Sequence, residues 1–303
     1  MMTAGSRDFI GYANDYPDVS WLDGKRLALS IVVNYEEGAE KSYPSGDATQ
    51  EAITEWGRSP VPDGTRDLAM ESMYEYGSRV GVWRILDVLK RHRAPATFYA
   101  AAKALEIHPA VGRAAVEQGH EICSHGLRWE EVFHLSRDEE RAHIREAVEI
   151  IERVTGSRPV GWYCRYGPSV HTRELVVEEG GFSYDSDAYN DDLPYFVDVQ
   201  GTDHLVIPYT ADVNDMQWWM GNMVTAEEFF AYARESLDVL RAEARVRPRM
   251  MSVGLHCRII GRPGRIGGLD RFLAYASSHP DVWITTRARI AEWWHTLRKD
   301  GAV

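Results

Sequence analysis

Two adjacent carboxylates, Glu36 and Glu37, follow a mostly apolar run, and two histidines, His125 and His256, close two other such runs. Carboxylate and imidazole are the side chains that most often move protons in hydrolysis. Each also has a plain structural reading, the carboxylate pair as a solvated turn and each histidine as a satisfied core residue. In EICSHGLRWEEV, residues 121–132, His125 stands where a metal-binding histidine pair spaced by four would begin, but Trp129 occupies the second position. An indole nitrogen is a donor only and cannot ligate a metal.

What separates a site from scattered turns is how the chain positions these residues. Short β-rich runs recur at 27–34, 96–100, 121–126, 160–164, 182–188, 204–210, 250–256 and 282–286. Several are almost continuously apolar, as strands buried on both faces are. Helical patterns lie between them. Val82, Ile85, Leu86 and Leu89 share one face. Ser136 with Glu139, and Thr225 with Glu228, fit capping boxes ahead of amphipathic stretches. The alternation predicts an α/β fold of parallel βα units closing into a barrel of seven or eight. In such barrels the site gathers at the C-terminal ends of the strands.

Those ends carry Glu36 and Glu37, His125, Cys164-Arg165-Tyr166, then Asp185, Asp187, Asn190 and Asp191, then Asp212, Asn214 and Asp215, and finally His256-Cys257-Arg258. The last strand offers only Thr285, Thr286 and Arg287. Burying so many ionisable groups unpaired would cost several kcal/mol each, so their alignment points to one shared site. Residues 35–79, rich in Gly, Pro, Ser and acids, break the alternation and read as a loop excursion over a site or an interface.

The chain has 303 residues, 44% of them hydrophobic and 26% charged, enough for one large core, and a single domain over 1–303 is expected. A net charge of −12 argues against nucleic acid or an anionic membrane as partner. No run is long enough to span a bilayer. No signal peptide is visible at the start, and three scattered cysteines, Cys123, Cys164 and Cys257, suggest free thiols in the cytoplasm.

These motifs resemble the polysaccharide deacetylases of the NodB type, which implies an irregular (β/α)7-type barrel. Asn34-Tyr35-Glu36-Glu37-Gly38 stands in place of the family's Thr-Phe-Asp-Asp-Gly, His125 and Trp129 in place of its two spaced histidines, Arg165 and Pro168 in its arginine motif, Asp212 to Trp218 in its fourth motif and Leu255-His256 in its fifth. NYEEG, YGSRVGVWR, SHGLRW, NDMQW and SVGLHCRIIGRPGR resemble a narrower branch, the metal-independent allantoinases and cyclic imide hydrolases. The match runs from about Arg7 to Trp294; one departure falls at Cys164-Arg165-Tyr166.

The resemblance implies a hydrolase of non-peptide C–N bonds that opens a small cyclic amide. Glu36 would be the general base, His256 the general acid, and Arg165 the residue that orients the base or stabilises developing charge. Glu37 and His125 would hold one another and position the water. Trp129, Tyr166, Asp212, Asn214, Asp215 and Trp218 would surround the substrate. No cofactor is favoured. In the alternative, a zinc-dependent N-deacetylase of polysaccharide sugars, Glu37 and His125 would be ligands, with a third drawn from Asp187 or Asp212. A second alternative is a non-catalytic barrel that binds a small ligand. The relatives in the branch imply a homo-oligomer, often a tetramer.

Overall fold

The computed structural model describes residues 7–54 and 57–303. Residues 1–6, part of the start at which no signal peptide is visible, lie outside the described residues, as do 55–56 of the excursion. Eleven strands run in chain order: β1 (Leu27–Tyr35), β2 (Ile53–Thr54), β3 (Gly57–Arg58), β4 (Thr97–Ala100), β5 (Glu121–Ser124), β6 (Gly161–Trp162), β7 (Tyr184–Asp185), β8 (Tyr195–Val199), β9 (Thr202–Val206), β10 (Arg249–His256) and β11 (Val282–Thr285).

Seven of them, in the order β10-β1-β4-β5-β6-β7-β9, form a parallel path, with helices packed around it. The sheet curls into a half-barrel. Between β9 and β10 the described residues give one isolated bridge, Asn214 to Gly254, in place of a ladder. The predicted α/β barrel is thus present in its open, irregular form.

β1 is buried along all nine residues, as its mostly apolar run leads one to expect. One edge pairs with β10 from Leu27 through Asn34. The other edge is shared: β11 lies beside Leu27–Ser30 and β4 beside Val32–Tyr35. The strand's period of two sorts its side chains. Leu29, Ile31 and Val33 join the core under the helices, while Ala28 and Val32 face inward with Tyr99, Tyr163 and Tyr209. The parallel register sets Asn34 beside His256, so Glu36 and Arg258 leave the sheet as near neighbours.

Both capping boxes are present, at Ser136 and Thr225. Other expectations need correction. The run at 160–164 pairs only over Gly161–Trp162, and the run at 182–188 only over Tyr184–Asp185. The strand expected at 204–210 instead covers Thr202–Val206 as one arm of a hairpin with the unforeseen β8. Gln200 and Gly201 both take positive φ there, the two-residue turn that right-twisted strands favour.

The excursion is also shorter than 35–79. A helix over Leu68–Tyr76, capped by the Asp67 carboxylate on the Met70 N–H, passes through a π turn at Gly77–Gly81 into the helix Val82–His92. The turn is glycine-bounded for a packing reason: a Cβ at Gly77 would overlap the Glu37 carboxylate, and one at Gly81 the Cys257 carbonyl.

Helix propensity alone would make Gly81→Ala stabilising by about 1 kcal/mol. The overlap with backbone reverses the sign, and a net loss of about 1–3 kcal/mol is expected. Urea unfolding followed by circular dichroism reads it; a midpoint equal to or above wild type would contradict this packing.

Candidate active site

Glu36 is the centre. It is buried to 1% exposure at the end of β1. Its Oε2 accepts from Arg258 Nη1 at 2.8 Å. Its Oε1 faces two imidazoles, His125 Nε2 at 3.4 Å and His256 Nε2 at 3.6 Å. Burial alone would push the Glu36 carboxyl up, but Arg258, His256 and His125 together hold it well below the usual carboxylate range.

Each imidazole is held from behind. His125 Nδ1 lies 3.2 Å from the Tyr163 carbonyl. His256 Nδ1 lies 2.6 Å from Asp215 Oδ1, and Asp215 Oδ2 accepts the backbone N–H groups of His256 at 2.7 Å and Ile260 at 3.1 Å. Burial lowers the His256 pKa, but Asp215 and Glu36 outweigh it and raise it above the ordinary value. The surroundings thus favour the anionic form of Glu36 and the protonated form of the His256 imidazole beside it.

Glu36, His125 and His256 line a cavity of about 370 Å³. Its walls are aromatic: Trp129, Tyr163, Tyr166, Tyr189 and Tyr209. Asn34 and Asn214 supply amides at the edge, and Asn34 Nδ2 donates to the Tyr209 hydroxyl at 3.1 Å. Tyr166 holds a positive φ, a conformation rarely kept by a bulky residue unless its surroundings fix it.

Of the residues singled out in the sequence, Glu36, His125, Trp129, Arg165, Tyr166, Asn214 and His256 line this cavity. Others do not. Asp215 acts on His256 rather than on the cavity. Asp212 is exposed and carries the Tyr232 hydroxyl. Trp218 is buried and stacks on Phe229 at 5.3 Å. Glu37 is packed against Gly77 and accepts the Arg258 backbone N–H at 3.2 Å. The carboxylate that His125 meets is that of Glu36.

Arg165 lies in the wall but not on the base. It stacks on Trp129, 3.6 Å from the ring centroid, and pairs with Glu51 at 2.7 Å. Arg258 touches the base instead. Sequence reasoning passed over it, although an arginine inside the apolar run LHCRII was a usable signal of a buried, paired charge. Arg287 is a core residue, spending its donors on Ser186, Ser252 and the carbonyls of Ile207 and Pro208.

The zinc set of the alternative reading does not fit. Trp129 offers no lone pair, Glu37 is turned to Gly77 and the Arg258 backbone, and the Arg258 guanidinium occupies the anionic face of the two glutamates. The third ligands considered are engaged elsewhere, Asp187 by the Cys164 N–H at 2.8 Å and Asp212 at the surface. Among the described residues, no three His, Cys, Asp or Glu side chains are grouped to hold a metal ion. The three cysteines are buried, and burial pushes their thiols well above the ordinary range, far from a thiolate nucleophile.

Residues 64–184 match the family described as polysaccharide deacetylase. A Schizosaccharomyces pombe protein, provisionally named a polysaccharide deacetylase, is 38% identical over 95% of this chain and 97% of its own. The chain belongs to the polysaccharide deacetylase family. Enzymes of this family hydrolyse carbon–nitrogen bonds other than peptide bonds, and this chain is such a hydrolase. Two solved family structures are each 48% identical with a TM-score of 0.92: a probable polysaccharide deacetylase from Pseudomonas aeruginosa PAO1, matched over 96% of this chain and 98% of that one, and a Puue allantoinase, over 96% and 97%. No described helix is long and apolar enough to cross a membrane.

A histidine whose pKa is raised on folding stabilises the fold fully below its unfolded value, about 6.5, and loses that contribution as pH climbs through the folded value. Asp215→Asn removes the anion that raises His256. The stability gap between wild type and this variant is expected to be widest near pH 6 and to narrow as pH rises. Melting curves across that range check it; a gap that widens with pH would refute the pairing.

Proposed function

We propose that this chain opens the ring of a small cyclic amide, such as allantoin or a cyclic imide, with water activated by Glu36. The observation that carries the reading is a buried carboxylate, Glu36, facing the imidazoles of His125 and His256 in a small aromatic cavity. The similarity to the Puue allantoinase supports it.

A water beside Glu36 Oε1 gives its proton to the carboxylate and attacks the ring carbonyl. His125, at the same oxygen, keeps that water in line. Negative charge develops on the carbonyl oxygen, and Arg165, whose Nε makes no hydrogen bond, provides positive potential from the wall. The C–N bond breaks as His256 Nε2 passes its proton to the leaving nitrogen. Asp215, on the far side of the ring, fixes the tautomer and offsets the charge. Glu36 then hands its proton back to His256.

Cavity size and chemistry both favour a small ring. At about 370 Å³ the space lies at the low end for small-ligand sites, and flat heterocycles stack well on tyrosine and tryptophan faces. With no ligand set for zinc among the described residues, carbonyl polarisation falls to cationic side chains, which suits an activated cyclic amide better than an N-acetyl group.

The test is turnover of allantoin and succinimide by the purified chain, with elemental analysis and a chelator control. Glu36→Gln and His256→Asn are each expected to lower kcat by about 100- to 10,000-fold, with chelator having no effect. Zinc at one per chain with chelator-sensitive release of acetate from an N-acetylated sugar would replace this reading with deacetylation.

A further inference from the structure

We propose that Arg258 is the positioning residue of this site: caged between Tyr74 and Trp129, its guanidinium clamps one oxygen of Glu36 so that the other is presented between His125 and His256. The inference rests on the assignment of Glu36 as the base and adds the part that holds the base in place.

Arg258 is gripped at both ends by consecutive glutamates. Its backbone N–H goes to Glu37 Oε1 at 3.2 Å, and its Nη1 goes to Glu36 Oε2 at 2.8 Å. The flat faces of the cation are covered by rings, 4.4 Å from the Tyr74 centroid and 5.0 Å from that of Trp129. Arg165 lies against Trp129 as well, 3.6 Å from its centroid. Two guanidinium groups thus bear on one indole. Cation–π contacts of this kind gain strength when water is excluded.

The second arginine of the core shows what a purely structural guanidinium looks like here. Arg287 places Nε, Nη1 and Nη2 all on acceptors. Arg258 is 4% exposed, yet its Nη2 has no hydrogen-bond partner. A buried donor left unpaired costs about 1–3 kcal/mol. The arrangement gives up a hydrogen bond and keeps a single directed bond to the base.

It also accounts for two features that the acid–base scheme leaves out. Trp129, standing where relatives by resemblance place a histidine, serves here as a wall of the cage. Tyr74, on the helix Leu68–Tyr76, gives the excursion a task at the site. A clamp at Oε2 leaves Oε1 with two imidazoles and the cavity, so the basic lone pair points at the water. A displacement of about 1 Å in such a group can cost about 100-fold in rate.

The test compares Arg258→Ala and Arg258→Lys with wild type on the ring substrates. Arg258→Lys keeps the charge but not the flat fork, and is expected to lower kcat about 100-fold with KM unchanged. Millimolar guanidinium chloride is expected to restore part of kcat in Arg258→Ala and to raise its Tm over matched sodium chloride, with neither effect in wild type. The Tm shift reads the cage without any substrate, so wild-type inactivity would strike the ring-opening reading and leave this readout standing. A folded Arg258→Ala with no Tm response overturns the cage. A Tm response without recovery of kcat, where wild type turns over, overturns the positioning role. If Arg258→Ala does not fold, Arg258→Lys decides alone, and a kcat equal to wild type overturns the proposal.

Discussion

A carboxylate cut off from water cannot stay ionised by itself, and this fold is arranged around that constraint. Glu36 is kept as an anion by one guanidinium and two imidazoles brought from the ends of β5 and β10. Each of those groups has its own support: Asp215 behind His256, the Tyr163 carbonyl behind His125, and two aromatic rings over Arg258. Removing one partner of such a cluster leaves a buried charge uncompensated, so the groups stand or fall together. Glu36, His125 and His256 are the members of the network that line the cavity.

The parallel sheet makes this convergence a matter of register. Because Asn34 is opposite His256, residues two further along each strand leave the sheet side by side, and that is where Glu36 and Arg258 lie. The interior of the barrel is unusually polar for a core. Arg287 ties Ser186, Ser252 and the Ile207–Pro208 carbonyls beneath the Tyr99 and Tyr209 rings, and so holds the segment that carries Tyr209 into the cavity wall.

How much of this could be read in the sequence follows from which forces are local. β1, the capped helices and the strand-end placement of Glu36, His125 and His256 rest on periodicity and capping, which neighbouring residues encode. Strand lengths were less legible, since whether 160–164 pairs over two residues or five depends on the partner strand. Asp215 and Glu37 changed roles, and Arg258 gained one, because the pairing of buried charges is settled by distances between strands. Glu36 and Glu37 are adjacent in sequence and point into different surroundings, one to the cavity and one to the Gly77 turn. No one-dimensional pattern distinguishes them. The aromatic wall from Tyr163, Tyr189 and Tyr209 was hidden for the same reason.

The shared edge of β1 has a consequence for how the chain reaches this state. Leu27 pairs with Arg249 and Val282, so a strand near the start is completed only by segments near the end. During synthesis, nine consecutive buried residues have an open edge until β10 and β11 emerge. Such long-range closure slows folding and leaves a template for unwanted pairing meanwhile. Lys25 and Arg26, directly ahead of the strand, are placed to discourage it by charge. The strand that carries the base to its site is thus also the stretch most in need of protection before the site exists.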